Sequence, residues 1–339
     1  VSTEPAALGV IETPEPERRT RQSMPAGMRL AVVLIVAAVL CFAFVFWDIR
    51  GAFEYIVERR TTAVIGMVIV GAAVGTASVA FQTVTGNRIL TPSIMGFDAL
   101  FMLIQTALTF AVGSTALALW NVTGRFFAEM IAMVIVCMLL YTWLLVGARR
   151  SLQVVLLVGI VLSTLFRSIS LFLQRIMDPN EYQVLQDTFF ASFNSIQAEI
   201  VPVAGIIVAV ACAGLWLLRN PLDVMGLGRD TAINLGVRHQ RVTVWVLFLV
   251  SVLIAASTAL VGPSTFLGLI VAHLAYQLAG SYRHAVLLPF VIGVTVITLV
   301  GGQFVMEHLL GFSTALSVII EFVGGLLFIG LLLRRKGTT

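Results

Sequence analysis

The stretch Arg219–Arg241 reads RNPLDVMGLGRDTAINLGVRHQR and lies between two long apolar runs. It holds four arginines, two aspartates and a histidine, in a chain with only 11% charged residues. Its centre runs Leu227-Gly228-Arg229-Asp230-Thr231-Ala232-Ile233-Asn234-Leu235-Gly236. Two short segments, each closed by a Leu-Gly pair, predict a compact helical hairpin. The stretch is too short to be a domain and too patterned to be a linker. Short amphipathic helices laid in a groove are a recurrent recognition mode. A docking element for a soluble partner is therefore one reading, and a connector lying at a membrane surface is the other.

Everything around this polar island is apolar. Of 339 residues, 59% are hydrophobic, and the mean hydropathy is +1.02. Soluble domains sit near half apolar, so a membrane is the solvent that fits. A spanning helix needs roughly 20 apolar residues. Apolar spans are read at 30–47, 62–83, 93–112, 127–146, 152–173, 200–218, 242–260, 266–278, 286–301 and 315–333. The fold class expected is all-α integral membrane, with about ten transmembrane helices and short cytoplasmic helices in the 219–241 stretch. Residues 1–28 are rich in Pro, Glu, Arg and Ser and read as a disordered tail, and 29–339 as one transmembrane domain. The first apolar run starts near Leu30 behind a long acidic tail, so it is expected to stay in place as a first helix and not to be cleaved as a signal.

Twenty arginines and one lysine, Lys336, carry the positive charge. In a membrane protein such a balance reports orientation, not nucleic-acid binding. With the N-terminus inside, the inner segments hold fifteen basic residues and the outer ones five, Arg50, Arg59, Arg60, Arg125 and Arg175. Both termini and the 219–241 stretch are therefore expected in the cytoplasm, with 48–61 and 174–199 outside.

Catalytic signatures are missing. A phosphate-binding loop needs Gly-x-x-x-x-Gly-Lys-Ser/Thr, and the single lysine is flanked by Arg335 and Gly337. If ATP is used, it and its magnesium belong to a separate subunit. The four histidines, His239, His273, His284 and His308, are scattered, and Cys41, Cys137 and Cys212 lie in three different apolar runs. Neither a metal site nor a disulfide framework is signalled. Three charges fall within spans, Asp98, Arg167 and Glu321. Charges in membranes are paired or functional, and an acid beside a base suits an ion pair between helices better than a proton relay. Outside, Arg50, Arg59 and Arg60 stand with Asp48, Glu54 and Glu58, either self-paired in a loop or docking an acidic partner. Gly71-Ala72-Ala73-Val74-Gly75 is a small-residue motif for close helix packing, or else for a pore-lining face.

Four stretches carry a family pattern. They are Glu58-Arg59-Arg60-Thr61-Thr62-Ala63-Val64; the run Asn87-Arg88-Ile89-Leu90-Thr91-Pro92-Ser93-Ile94-Met95-Gly96-Phe97-Asp98; the Leu-Gly-x-x-x-Ala-x-x-Leu-Gly of 227–236; and the run Gly262-Pro263-Ser264-Thr265-Phe266-Leu267-Gly268 onward to His273. Over about 30–335 the chain resembles the permease subunits of binding-protein-dependent, ATP-driven (ABC) importers of ferric siderophores, haem and cobalamin. The wording of the second stretch is similar to the ferric-siderophore branch. Departures are Arg88, Thr265 and Ala272 where the family carries Pro, Gly and Pro, Ser313-Thr314-Ala315-Leu316-Ser317 before the last span, and Met306-Glu307-His308 in place of an outward basic residue.

The resemblance implies a second permease subunit, identical or paralogous, two ATPase subunits beneath, and an extracytoplasmic binding protein that delivers the ferric siderophore. It implies no catalytic residue and no metal or cofactor in this chain. Leu227, Gly228, Arg229, Asp230, Ala232, Leu235 and Gly236, within 222–237, would couple to the ATPase, and Arg59 and Arg60 would dock the binding protein. Cobalamin or haem as cargo, or an ion-driven secondary transporter, are the alternatives.

Overall fold

The computed structural model describes residues 24–49, 51–143, 152–194, 196–309 and 316–335. Its fourteen α-helices, in order, are α1 Ala26–Phe46, α2 Phe53–Thr85, α3 Asp98–Val112, α4 Ser114–Ala118, α5 Val122–Tyr141, α6 Leu152–Ile176, α7 Pro179–Asp187, α8 Val201–Leu217, α9 Arg219–Met225, α10 Arg229–Asn234, α11 His239–Val261, α12 Leu267–Leu278, α13 His284–Phe304 and α14 Leu316–Arg335. Seven of the helical stretches are long and apolar enough to cross a membrane, and α8 with α9 makes an eighth span, bent by 57°. Two shorter apolar helices, α12 and Leu316–Leu326 of α14, stand where the sequence predicts the remaining spans. The 1–28 tail lies mostly outside the described residues, as do Ser313, Thr314 and Ala315; α1 begins at Ala26.

The architecture is built around α2. This helix is largely buried and packs against α8, α11, α12 and α13. In lipid no hydrophobic effect drives helices together, so close backbone approach must do it. The Gly71–Gly75 face serves that end. A Cβ at Gly71 would stand 3.2 Å from Val296 Cγ2, and one at Gly75 would stand 2.7 Å from Thr295 Oγ1. The motif is thus a seam with α13. Two buried hydroxyls on this seam are satisfied within their own helices. Thr76 donates to the Ala72 carbonyl at 2.6 Å and Thr295 to that of Val291 at 2.7 Å, which avoids the cost of an orphaned polar group in an apolar interior.

Helix breaks follow the glycines and prolines. α2 ends at Gly86, in the left-handed conformation with φ 62°. There Asn87 N–H bonds the Gln82 carbonyl and Gly86 N–H that of Thr83, the paired bonds of a Schellman stop. After Pro92 the chain makes a π-helical turn, Ser93–Phe97, with Gly96 at φ 115°, before α3 begins. Gly262 at φ 98° and Pro263 separate α11 from α12.

The connection between the first two spans differs from expectation. Residues 48–61 are read from the sequence as a loop, yet α2 starts at Phe53 and carries Glu54, Glu58, Arg59 and Arg60. The break is Gly51, at φ 112°. Beyond it no glycine or proline interrupts the chain until Gly66, so the helix runs on past the apolar stretch.

Candidate functional site

The hairpin is a bent, capped pair of short helices. Leu218 breaks the span after α8, and α9 leaves at 57°. Leu222 and Met225 of α9 and Ala232 of α10 are buried, and α9 packs on α2, α8 and α13. Gly228 at φ 105° turns the chain into α10, and Gly236 at φ 83° ends it. At that end Val237 N–H bonds the Ala232 carbonyl and Gly236 N–H that of Ile233, both at 3.0 Å, a second Schellman stop. The outer rim is apolar: Leu227 is 65% exposed, Ile233 48% and Leu235 62%. Arg229 and Asp230 are exposed beside them. Of the seven residues assigned to coupling, six thus stand on the open side, and Ala232 forms the floor.

One charged contact anchors this hairpin to the helical body. Asp223 Oδ1 accepts the backbone N–H of His284 at 2.7 Å and meets its Nδ1 at 2.6 Å. His284 Nε2 lies 2.8 Å from Thr83 Oγ1. The chain of contacts ties α9 to the first turn of α13 and the last of α2. An ionised carboxylate that accepts two N–H groups makes strong, short, directional bonds. Beside it is a cavity of about 550 Å³, lined in part by Gln82, Arg88, Leu227, Gly228 and Tyr276. The Arg88 guanidinium rests against the rings of Tyr276 and Tyr282, 4.8 Å and 5.0 Å from their centroids. Arg29 reaches the Leu278 carbonyl at 3.3 Å nearby. Arginines from distant segments that the charge count assigns to one side thus gather at one end of the molecule.

The opposite end has a different use for arginine. Arg60 donates to the carbonyl of Trp47 at 2.6 Å, just past the end of α1, and to that of Val45 at 3.4 Å. Its Nη2 also lies 3.1 Å from His308 Nε2. A guanidinium has no lone pair to accept with, so that nitrogen of His308 accepts. The ring stacks on Phe304, with centroids 4.8 Å apart. Arg59 is exposed. The pair assigned to partner docking is therefore split, with one arginine turned inward as a clamp and one facing out. Elsewhere Arg125 bonds Glu129 at 2.7 Å and Gln105 at 3.0 Å.

The three charges within spans converge. Asp98 opens α3, Arg167 lies on α6 and Glu321 on α14. Asp98 is buried, near the hydroxyls of Ser93 and Thr265 and within reach of the Arg167 charge, but neither of its carboxylate oxygens makes a hydrogen bond to a described residue. Glu321, half-buried, feels Asp98, Arg167 and Thr265. The expectation of one acid beside one base thus becomes two acids facing one base. Among the described residues no group of three or more His, Cys, Asp or Glu stands at metal-ligating distance.

The model of the FecCD transport family matches residues 30–334. The chain belongs to that family. Among its relatives is the petrobactin import system permease protein YclO of Bacillus subtilis (strain 168), 42% identical over 309 residues, which are 91% of this chain and 98% of that protein. The petrobactin import system permease protein FatC of Bacillus anthracis is 35% identical, over 84% of this chain and 80% of its own length. The ferric enterobactin transport system permease protein FepD of Escherichia coli (strain K12) is 27% identical, over 83% and 82%. A metal-chelate type ABC transporter solved in an inward-facing conformation superposes with a TM-score of 0.78 over 91% of this chain and 99% of that one, at 21% identity. At that identity the likeness is one of fold.

In this FecCD chain, a multi-pass membrane permease, local sequence reading places the hairpin but misses its anchor. Asp223 lies within the stretch that opened the reading, but its partner His284 is 61 residues away. Only a signal pairing the two segments could have joined them. The same holds for Arg60 and His308, 248 residues apart.

Proposed function

We propose that this chain is one of two permease subunits of an ATP-driven importer that carries a ferric siderophore across the cytoplasmic membrane. The hairpin of residues 222–237 faces the cytoplasm and seats in an ATPase subunit, one for each permease. The end bearing Arg59 and Arg60 faces outward, toward a binding protein that delivers the chelate. Both termini are cytoplasmic. ATP and magnesium are held by the ATPase, and this chain makes and breaks no substrate bond. The carrying observation is the hairpin itself, an apolar rim of Leu227, Ile233 and Leu235 on a short rigid element fixed to α2 and α13 through Asp223. When ATP closes the ATPase dimer, such an element transmits displacement as a lever and re-angles the spans. The relatives named for petrobactin and enterobactin support a siderophore as cargo over cobalamin or haem.

A second reading has one observation in its favour. Asp98, Arg167 and Glu321 stand together, and an ion-driven carrier would need such an intramembrane site. Proteoliposomes containing the permeases, with and without the ATPase, separate the two. The importer reading expects uptake from loaded binding protein only with both ATPase and ATP. Gradient-driven uptake without either would overturn it. Competition for the purified binding protein among ferric siderophore, haem and cobalamin tests the cargo.

A further inference from the structure

α1 and α6 have faces that the other described residues do not cover. Only 17% of the α1 span and 11% of the α6 span is buried. Both expose mainly apolar side chains, such as Leu165 and Phe172 on α6, but they differ in one strip. From Ala31 to Phe46 every exposed side chain of α1 is apolar, which suits hydrocarbon. α6 exposes Thr164, Arg167 and Ser168 on successive turns.

Arg167 is nine residues before Ile176, the last residue of α6. At 1.5 Å per residue it stands about 14 Å in from the end of the helix, beyond the reach of a side chain that bends back to the interface. Intramembrane charges face a bundle interior or a water-filled cavity, not lipid. The groups behind it fit the second case. Both carboxylate oxygens of Asp98 are buried with no hydrogen-bond partner among the described residues. Thr265 and Ser93 belong to the two helix breaks, after Gly262-Pro263 and after Pro92. Irregular backbone at membrane depth is tolerated where it is buried in protein or lines water. Asp98 and half-buried Glu321 feel the charge of Arg167 from within the protein, and Arg167 is the exposed member of the three.

We propose that the α6 face bearing Thr164, Arg167 and Ser168, together with Glu321, walls the water-filled translocation path, and that Arg167 is the cationic contact for an anionic, oxygen-rich metal chelate. This rests on the importer reading above for the identity of the path. It does not rest on it for the wetness and charge of the face.

The test uses the complete importer, with Cys41→Ala, Cys137→Ala and Cys212→Ala as background and Ser168→Cys or Val39→Cys added. Two membrane-impermeant methanethiosulfonates are compared, one bearing a sulfonate and one a trimethylammonium group. The introduced thiol on α6 should react at least about tenfold faster than the one on α1. Relative to a free thiol in solution, it should favour the anionic reagent by roughly threefold or more, as one unit charge a few ångströms away implies. Arg167→Gln should abolish that preference and Arg167→Lys should keep it, with co-purification of the subunits confirming assembly. No reaction on α6, with and without ATP, would place the face against lipid or another subunit and overturn the proposal. Equal rates for the two reagents would overturn the role of Arg167. Because neither readout requires uptake, a wet cationic face in a preparation that shows no ATP-coupled uptake would count against the importer reading alone.

Discussion

The two ends of this molecule use polar residues in opposite senses. At the hairpin the charge that matters points inward, Asp223 to His284, and the apolar side chains Leu227, Ile233 and Leu235 point out. At the other end Arg60 points inward to the Trp47 carbonyl and His308, and Arg59 points out. An exposed apolar rim over the half-buried Asp223–His284 contact makes a short rigid element, a peg, and the proposed coupling role needs a groove that fits its rim. An arginine spent on a helix end and a histidine makes a lock between α1, α2 and the residues following α13. Residue type alone does not tell a peg from a lock; the partners do.

The largest expected effect breaks the peg at its turns. Gly228 and Gly236 have φ of 105° and 83° with no atom within 4 Å of a built Cβ. A substitution there meets backbone strain and no steric clash, about 1–3 kcal/mol at each site. Gly228→Val with Gly236→Val should abolish ATP-coupled uptake while the chain still inserts and co-purifies with the second permease. Transport assays with parallel ATPase measurements check this; normal uptake and normal stimulation of hydrolysis would remove the hairpin from the coupling role. Next comes the anchor. Asp223→Ala leaves the backbone N–H and ring nitrogen of His284 without their acceptor, a loss of about 1–3 kcal/mol. Uptake should fall roughly tenfold or more, with hydrolysis persisting, because a peg detached from α13 moves without moving the span. Equal losses of hydrolysis and uptake would show the anchor to be needed for docking instead.

What was legible in the sequence was local. Hydropathy placed ten apolar helices, and the two Leu-Gly pairs placed the hairpin, because a helix stop is written within a few residues of where it acts. The same logic misread 48–61. Apolar content marked where the membrane-like run began, whereas the helix obeyed the next breaker back, Gly51. The π-helical turn after Pro92 left no pattern that periodicity could detect. The Gly71–Gly75 seam was visible as a motif, but its partner, Val291–Val296 of α13, was not. Asp98, Arg167 and Glu321 stand out in the sequence as costly charges, but only the packing of α3, α6 and α14 brings them within reach of one another.

The lock supplies the next contrast. Arg60→Ala removes the donor to the Trp47 carbonyl and to His308. Hydrogen bonds from a charged group contribute about 1.5–3 kcal/mol, and the partial exposure of Arg60 places the expected loss at the lower end. Thermal unfolding in detergent should shift down by several degrees, while the ATPase is retained on co-purification. An unchanged melting temperature would remove Arg60 from the lock.

The smallest effect on stability belongs to Arg59, and it is the one that separates the two uses of arginine most cleanly. Exposed substitutions away from caps and networks usually change stability by less than about 0.5 kcal/mol, so Arg59→Glu should leave the melting temperature unmoved. A docking contact made in water is screened by salt over about 8–10 Å. Reversing the charge of Arg59 should therefore weaken binding-protein association at low ionic strength, and the difference from the unaltered permease should shrink as salt is raised. Arg60→Ala is expected to show the reverse profile, a lower melting temperature with little salt-dependent change in docking. If both variants lose docking with the same salt dependence and neither loses stability, the inward turn of Arg60 does not survive in the assembled importer. The end bearing Arg59 and Arg60 would then be a second docking surface, not a lock.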